Sequence, residues 1–296
     1  MHLGNVYCAL MSWLSARAKG GEWLLRIEDL DRGRSRRDYA LQLMDDLQWL
    51  GLQWDGEPVW QSERDAIYED YFRRLDVYPC FCSRADLLAA SAPHASDGRR
   101  VYGGVCRDLS DEERQRRAAL RAPAWRVRVT DSVVSFVDEC CGEQRIALAQ
   151  EWGDFVVRRA DGCFAYQRAV TVDDALMGIT EVVRGVDLLS SVAPQLFLYD
   201  SLGFTPPFFA HVPLLCNAAG QRLCKRDKAL DMGALRSTMT AEQIVGLIAF
   251  YAGLQSQPSP IAALDLLQRV DAERFFGEPK DRILVSDADV QLCAHR

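Results

Sequence analysis

Positive charge is scarce in this sequence, and long apolar runs are missing. Its 35 lysines and arginines are outnumbered by 42 acidic residues, giving a formal net charge of −7. That balance gives no support for indiscriminate nucleic-acid binding, which favours basic domains. A local basic stripe in an acidic protein can still grip RNA. No apolar stretch approaches the ~20 residues of a membrane-spanning helix, and Met1 is followed by no basic and then apolar leader pattern. A cytoplasmic location without membrane association is expected. No internal repeat or low-complexity tract appears. The composition is that of an ordinary globular protein, 49% hydrophobic and 26% charged. At 296 residues the chain is long enough for one large domain or two. The ten cysteines are expected to be reduced in the absence of a leader, most of them as small core residues.

Val6, Leu10, Trp13 and Leu14 recur at the spacing of one helix face, which predicts a helix over 4–18 ended by Gly20-Gly21. Trp23 to Ile27 reads as a short buried strand. Ser35 is the expected N-cap of a helix whose apolar face is Tyr39, Leu43, Met44, Leu47 and Leu50, with Gly51 as its stop. A third helix is expected from Ser62, with Asp65 in an imperfect capping box and a buried face of Ile67, Tyr68, Tyr71, Phe72 and Leu75. Helix, strand, helix, helix fits an α/β layered core. Residues 80–110 lack periodicity and read as a loop-rich insert, followed by a charged helix over 112–121. Strands are expected over 125–129, 133–137 and 154–157, with Cys140-Cys141 as strand packing. The Asp161-Gly162 turn should return a hairpin strand from Phe164 to Val172. A helix over 192–202, a strand over 208–215 and helices over 240–254, 260–269 and 271–276 complete the pattern.

Four short segments hold residues suited to chemistry. In His2-Leu3-Gly4-Asn5, a His at a helix start adds a ring N–H to the free backbone donors there. A Gly two positions on lets a nucleotide approach the backbone. Arg222, Lys225, Arg226 and Lys228 follow the turn residues Asn217 and Gly220; such a segment can clamp phosphates, or be a solvated charged loop. Arg26-Ile27-Glu28-Asp29-Leu30-Asp31 reads equally as an acidic helix start after a strand. Cys80-Phe81-Cys82 with Cys106 offers three thiolates to a metal, and a closed tetrahedral site needs a fourth ligand; His94 is the first chemical choice. The arginines at 32, 34, 36 and 37, and those at 114, 116, 117 and 121, are read as solvated faces before phosphate contacts. Taken alone, Tyr166 is a strand aromatic and Arg184 a surface ion-pair partner.

In this order the segments resemble the class I aminoacyl-tRNA synthetases. His2–Asn5 resembles the "HIGH" signature. Arg222–Arg226 resembles a degenerate "KMSKS", with Cys224 where Ser is usual and Arg222 where Lys is frequent. Arg26–Asp31 matches the R-x-E-D-x-D of the glutamate- and glutamine-specific members, and Phe164–Gln167 and Val182–Asp187 resemble stretches of the glutamyl enzymes. The resemblance spans His2 to about residue 235. It implies a Rossmann-like parallel-sheet catalytic domain over 1–235, a zinc-bearing insert over 78–110 and a helical region over 236–296. It implies a catalytic set of His2, Gly4, Asn5 and Lys225, with ATP held by His2 and Lys225 and accompanied by Mg2+. Glu28 would meet the glutamate ammonium, Tyr166 would lend its hydroxyl, and Arg184 would take the side-chain carboxylate in a fork that selects glutamate over glutamine. One structural zinc would sit on Cys80, Cys82, Tyr102 and Cys106, with Tyr102 preferred to His94.

The chain is shorter than a full glutamyl-tRNA synthetase, and so resembles the short paralogues, the glutamyl-queuosine tRNA(Asp) synthetases. That implies activation of L-glutamate with ATP and transfer of the glutamyl group to queuosine at the wobble position of tRNA(Asp), not to the 3′ end, by a monomer. The alternatives are a truncated glutamyl-tRNA synthetase and an inactive paralogue that binds RNA or protein. The family's first strand, with Arg-Phe-Ala-Pro-Ser ahead of the first signature, is not in this sequence. Exposure of the strand edges it covers predicts poor folding or low activity.

Overall fold

The computed structural model describes residues 1–31, 33, 35–83, 86, 101–223, 230–271, 275–276 and 281–294. The expected α/β architecture is present. Helix α1 (Leu3–Ala18) buries Leu3, Val6, Tyr7, Leu10, Met11 and Leu14 along one side, as helical spacing dictates, and ends where Gly20 takes φ +68°. Strand β1 (Leu24–Ile27), helix α2 (Arg37–Trp49), strand β2 (Asp55–Trp60), helix α3 (Asp65–Phe72) and strand β3 (Val77–Cys80) follow. Next come α4 (Asp111–Ala118), β4 (Ala124–Val127), β5 (Val133–Asp138), β6 (Gly142–Ala147), the single turn α5 (Leu148–Glu151) and β7 (Val156–Arg158). Then α6 (Tyr166–Leu176), β8 (Glu181–Gly185), α7 (Val192–Leu202), β9 (Phe208–Val212) and β10 (Leu214–Cys216) lead to α8 (Met232–Thr238), α9 (Ala241–Tyr251), α10 (Ala263–Leu267), β11 (Arg282–Leu284) and α11 (Asp287–Ala294).

The described strands form four sheets. β1 and β2 pair in parallel, and β8 and β9 pair in parallel within a sheet ordered β6-β5-β9-β8. β3-β4-β7 is antiparallel, and β10 pairs β11 in parallel. β1 and β8 are not bonded to each other; their neighbouring edges line one cavity. One apolar core joins α1 to α9, α10, β9 and β10. A second packs α3, α6 and α7 around Phe155 and Phe164, and a small third one gathers Tyr78, Cys80, Phe81, Tyr102 and Cys106.

Several local expectations are corrected. The N-cap of α2 is Arg36, not Ser35. Ser62 does not start a helix: it lies in a 3-10 turn over Gln61–Glu63, and its N–H and hydroxyl both donate to Asp29, at 2.8 and 2.6 Å. The strand expected over Phe164–Val172 is helix α6. Residues Arg168 to Asp174 are all buried, and this packing overrides the strand preference of the β-branched run Val170-Thr171-Val172. Tyr166 is therefore at a helix start, not in a strand. Cys140-Cys141 is the β5–β6 turn, where both N–H groups donate to Asp138 Oδ1 at 3.0 and 2.9 Å. The strand over 208–215 is two strands broken at Pro213, and the helical tail includes β11. Residues 272–274 of the helix expected over 271–276 lie outside the described residues, as do Arg32, Arg34, His94 and Lys225.

The tail packs closely at Gly246 in α9, where an added Cβ would stand 2.0 Å from the Ser259 carbonyl oxygen. Gly246→Ala is expected to cost about 1–3 kcal/mol or more, since backbone must move. A urea titration of wild type and variant measures it.

Candidate active site

His2 immediately precedes α1, and its backbone N–H donates to Asn5 Oδ1 at 3.1 Å. The His2 ring lies against Gly4, where a Cβ would come within 3.2 Å of it. Gly4 thus makes room for the imidazole. Lys225 and its neighbours lie outside the described residues, but both flanks are anchored. On one side Arg222 bridges to Cys216, and Leu223 N–H donates to Leu215 O at 3.1 Å. On the other, Asp231 bridges to His2, and Met232 N–H donates to Met1 O at 2.9 Å. The chain just beyond the second signature is therefore tied to the start of α1.

Between β1 and β8 lies a cavity of about 580 Å³ lined by Arg26, Glu28, Tyr166, Asp174 and Arg184, among others. It brings together the three residues expected to hold the amino acid. A second cavity of about 610 Å³, lined by Asn5, Trp60 and the start of α2, shares Arg26 and Glu28 with the first. Arg26 holds the acidic side: Nη1 donates to Asp174 Oδ1 at 2.6 Å and Nη2 to Glu28 Oε1 at 3.3 Å, and Nε stands 3.8 Å from Asp173. Asp173, with no exposed surface, also accepts from Gln61 (2.8 Å), Arg64 (2.7 Å) and Tyr68 (2.7 Å). Burial pushes the Glu28 and Asp174 carboxyls above their usual range, with Arg26 pulling the other way on both. Burial, then the charge of Glu28, raises the Tyr166 phenol.

Arg184 forms the cationic side. Its Nε donates to His211 Nε2 at 3.0 Å, and Nη2 donates to Gln195 Oε1 at 2.9 Å and weakly to Leu188 O at 3.4 Å. A guanidinium carries five N–H donors; the two on Nη1 have no partner among the described residues. Behind it, His211 Nδ1 lies 2.5 Å from Asp138 Oδ2, and neither side chain has exposed surface. The sequence reading missed Asp173, Asp174, His211 and Asp138. The only available signal was a histidine inside the apolar run Phe208–Leu215.

Cys80, Cys82 and Cys106 have sulfurs within 4.8 Å of one another. Cys82 and Cys106 are 3.6 Å apart, too far for a disulfide and close to the roughly 3.8 Å expected between ligands of a tetrahedral zinc thiolate. The Tyr102 hydroxyl accepts the Cys106 N–H at 2.7 Å and stands 3.5 Å from Cys80 Sγ. Arg126 stacks 3.8 Å from the Tyr102 ring, and Arg117 reaches Cys106 Sγ at 3.8 Å. Burial raises the Cys80 thiol, but the Tyr102 hydroxyl, the Cys82 amide and Arg126 outweigh it and hold it below its ordinary value. Soft donors with cations around them are compatible with zinc. Gly153 lets the insert dock: it bridges to Tyr102, and a Cβ there would meet the Tyr102 carbonyl at 2.9 Å.

Burial depresses the His211 pKa despite Asp138. An unfolded histidine takes its proton near pH 6.5, so stability present above that pH falls as the solution is acidified toward the lower folded value. Melts between pH 8 and 5 should show a flat region and then a decline of at most about 1.4 kcal/mol per pH unit from this group. In His211→Gln this part of the decline should vanish.

Comparison with known proteins identifies the family and the fold. Residues 1–240 match the family model for the catalytic domain of class I tRNA synthetases (E and Q). The chain is 46% identical to the glutamyl-Q tRNA(Asp) synthetase of Symbiobacterium thermophilum, over 94% of this chain and 91% of that one. It is 43% identical to the one of Nitratidesulfovibrio vulgaris, over 98% and 93%. A glutamate tRNA ligase from Elizabethkingia meningosepticum, solved with its amino acid, shares the fold at a TM-score of 0.82 and 24% identity. That match covers 99% of this chain, which spans only 66% of that ligase. The chain belongs to the class I glutamyl- and glutaminyl-type synthetases and, within them, to the glutamyl-Q tRNA(Asp) synthetase family.

Proposed function

We propose that the chain activates L-glutamate with ATP and transfers the glutamyl group to queuosine at the wobble position of tRNA(Asp), leaving the tRNA 3′ end uncharged. One observation carries the reading of the site: Glu28, Tyr166 and Arg184 line a single cavity with acid on one wall and an arginine on the other. An α-amino dicarboxylic acid has the complementary charges. Glu28 takes the ammonium, Tyr166 offers its hydroxyl, and Arg184 takes the side-chain carboxylate through Nη1. The α-carboxylate is then the group free to attack the α-phosphorus of ATP. A bond from carboxylate oxygen to phosphorus forms, the bond to pyrophosphate breaks, and glutamyl-adenylate results. His2, with the N-terminus of α1, and Lys225 meet the phosphate charge as pyrophosphate leaves; Gly4 and Asn5 shape that helix start. Mg2+ accompanies the ATP. A hydroxyl of the queuosine cyclopentene ring attacks the adenylate carbonyl, and AMP departs.

Zinc on Cys80, Cys82, Cys106 and Tyr102 belongs to the same proposal. When bound, it supplies a structural staple to the insert. A metal lowers the pKa of a coordinated phenol, which makes Tyr102 a workable ligand. The catalytic body over 1–235, the helical region over 236–296, a monomeric state and a cytoplasmic location complete the proposal. No described helix is long and apolar enough to cross a membrane.

Glutamate-dependent ATP–pyrophosphate exchange, run without tRNA, tests the activation step. Exchange is expected with L-glutamate and not with glutamine, and Arg184→Lys should raise KM for glutamate about 10- to 100-fold while leaving KM for ATP unchanged. No exchange, or equal exchange with both amino acids, would overturn the assignment. Metal analysis should find one zinc per chain, lost in Cys106→Ser.

A further inference from the structure

The reading of Arg184 as the grip on the glutamate side chain leaves open what aims it. A guanidinium with one fixed hydrogen bond can swing, and a fork that swings does not discriminate a carboxylate from an amide. The structure holds two braces behind Arg184. One is a run of amides: Gln195 Oε1 accepts from Arg184 Nη2 at 2.9 Å, Gln195 Nε2 donates to Gln167 Oε1 at 2.8 Å, and Gln167 Nε2 donates to Ser191 Oγ at 3.0 Å. The other is His211, the direct partner of Arg184 across the parallel β8–β9 pair.

The direction of the second brace is fixed by chemistry. Arginine has donors only, so His211 Nε2 must accept from Arg184 Nε with its lone pair. The ring proton then belongs on Nδ1, where Asp138 Oδ2 waits at 2.5 Å. Asp138 cannot turn away, because its Oδ1 accepts the N–H groups of Cys140 (3.0 Å), Cys141 (2.9 Å) and His211 itself (3.1 Å). The ring also stacks on Phe209 at 22° between planes, and Arg184 lies 5.5 Å from that phenyl centroid. Proton positions therefore run one way, from Arg184 through His211 to Asp138, with the last two fully buried.

We propose that His211, held in its Nδ1–H tautomer by Asp138, is a positioning residue that aims Arg184 at the glutamate side-chain carboxylate. This rests on the proposed role of Arg184. His211 touches no substrate in this arrangement. It fixes Nε, the amide brace fixes Nη2, and Nη1 is left for the ligand.

Three variants separate this from a packing role, with KM for glutamate and for ATP read by pyrophosphate exchange. His211→Asn keeps a donor near the Nδ1 position and loses the acceptor for Arg184; it should raise KM for glutamate about 10- to 100-fold with KM for ATP unchanged. His211→Gln puts an amide oxygen near the Nε2 position and should recover most of that loss. Asp138→Asn preserves the shape but presents an amide donor to Nδ1. That moves the ring proton to Nε2, donor against donor with Arg184, the same tautomer error a triad suffers when its Asp becomes Asn. It should raise KM for glutamate as much as His211→Asn does. A 15N-histidine spectrum at neutral pH needs no enzyme turnover: wild type should show His211 protonated at Nδ1 only, and Asp138→Asn at Nε2. An Nε2–H signal in wild type overturns the proposal even if every variant misfolds. So do equal losses in the Asn and Gln variants, or KM for ATP rising in parallel. If Arg184→Lys raises KM for glutamate while the His211 and Asp138 variants leave it unchanged, the positioning role fails and the Arg184 reading stands. If Arg184→Lys changes nothing, both fall.

Discussion

One guanidinium organises the centre of this protein. Arg26, at the end of β1, meets Glu28 beside it and Asp173 and Asp174 from α6. Asp173 and Asp174 are buried; carboxylates so enclosed are costly without a cation, and removing the partner of such a pair typically costs about 3–5 kcal/mol because the remaining charge stays buried. The cluster also crosses the molecule. It ties the small β1–β2 sheet to a helix that packs with α7 and the second core. Asp173 extends the tie to α3 and to the turn before it through Arg64, Tyr68 and Gln61. The acidic wall of the cavity exists because this tie holds it.

The opposite wall is built on the same logic with the sign reversed. Arg184 is held from behind by neutral acceptors, His211 and Gln195, and the nearest anion that His211 touches is Asp138. No carboxylate pairs with Arg184 directly among the described residues. A cavity with carboxylates on one side and, on the other, a guanidinium that forms no direct ion pair among the described residues suits a substrate that carries both charges. Charge pairing thus links the stability of the fold to the selectivity of the site. The described part of the insert follows a separate plan: a small apolar cluster of its own, three thiols at its base, and a backbone bridge to Gly153.

The sequence reveals residues whose chemistry requires close neighbours along the chain. His2 with Gly4, Arg26 with Glu28, and Cys80 with Cys82 are of this kind, and the structure brings the thiols to Cys106 and Glu28 to Tyr166 and Arg184. It hides what depends on distant pairing. Asp138 and His211 are 73 residues apart, and His211 and Arg184 are 27 apart; nothing local marks them as partners. Asp173 and Asp174 were obscured for another reason. They sit on a helix whose β-branched run Val170-Thr171-Val172, following the Asp161-Gly162 turn, reads as a strand. Strand β2 was missed because Gly56 and Pro58 in Asp55–Trp60 argue against a strand at all.

The central claim is that the glutamyl group is delivered to the modified base. The direct measurement uses tRNA(Asp) bearing queuosine, trimmed of its terminal adenosine, with radiolabelled glutamate, ATP and Mg2+. The account predicts that this tRNA takes up glutamate and that the same tRNA without queuosine takes up none. Labelling that requires the terminal adenosine, or that appears on tRNA(Glu) in preference to tRNA(Asp), would contradict it.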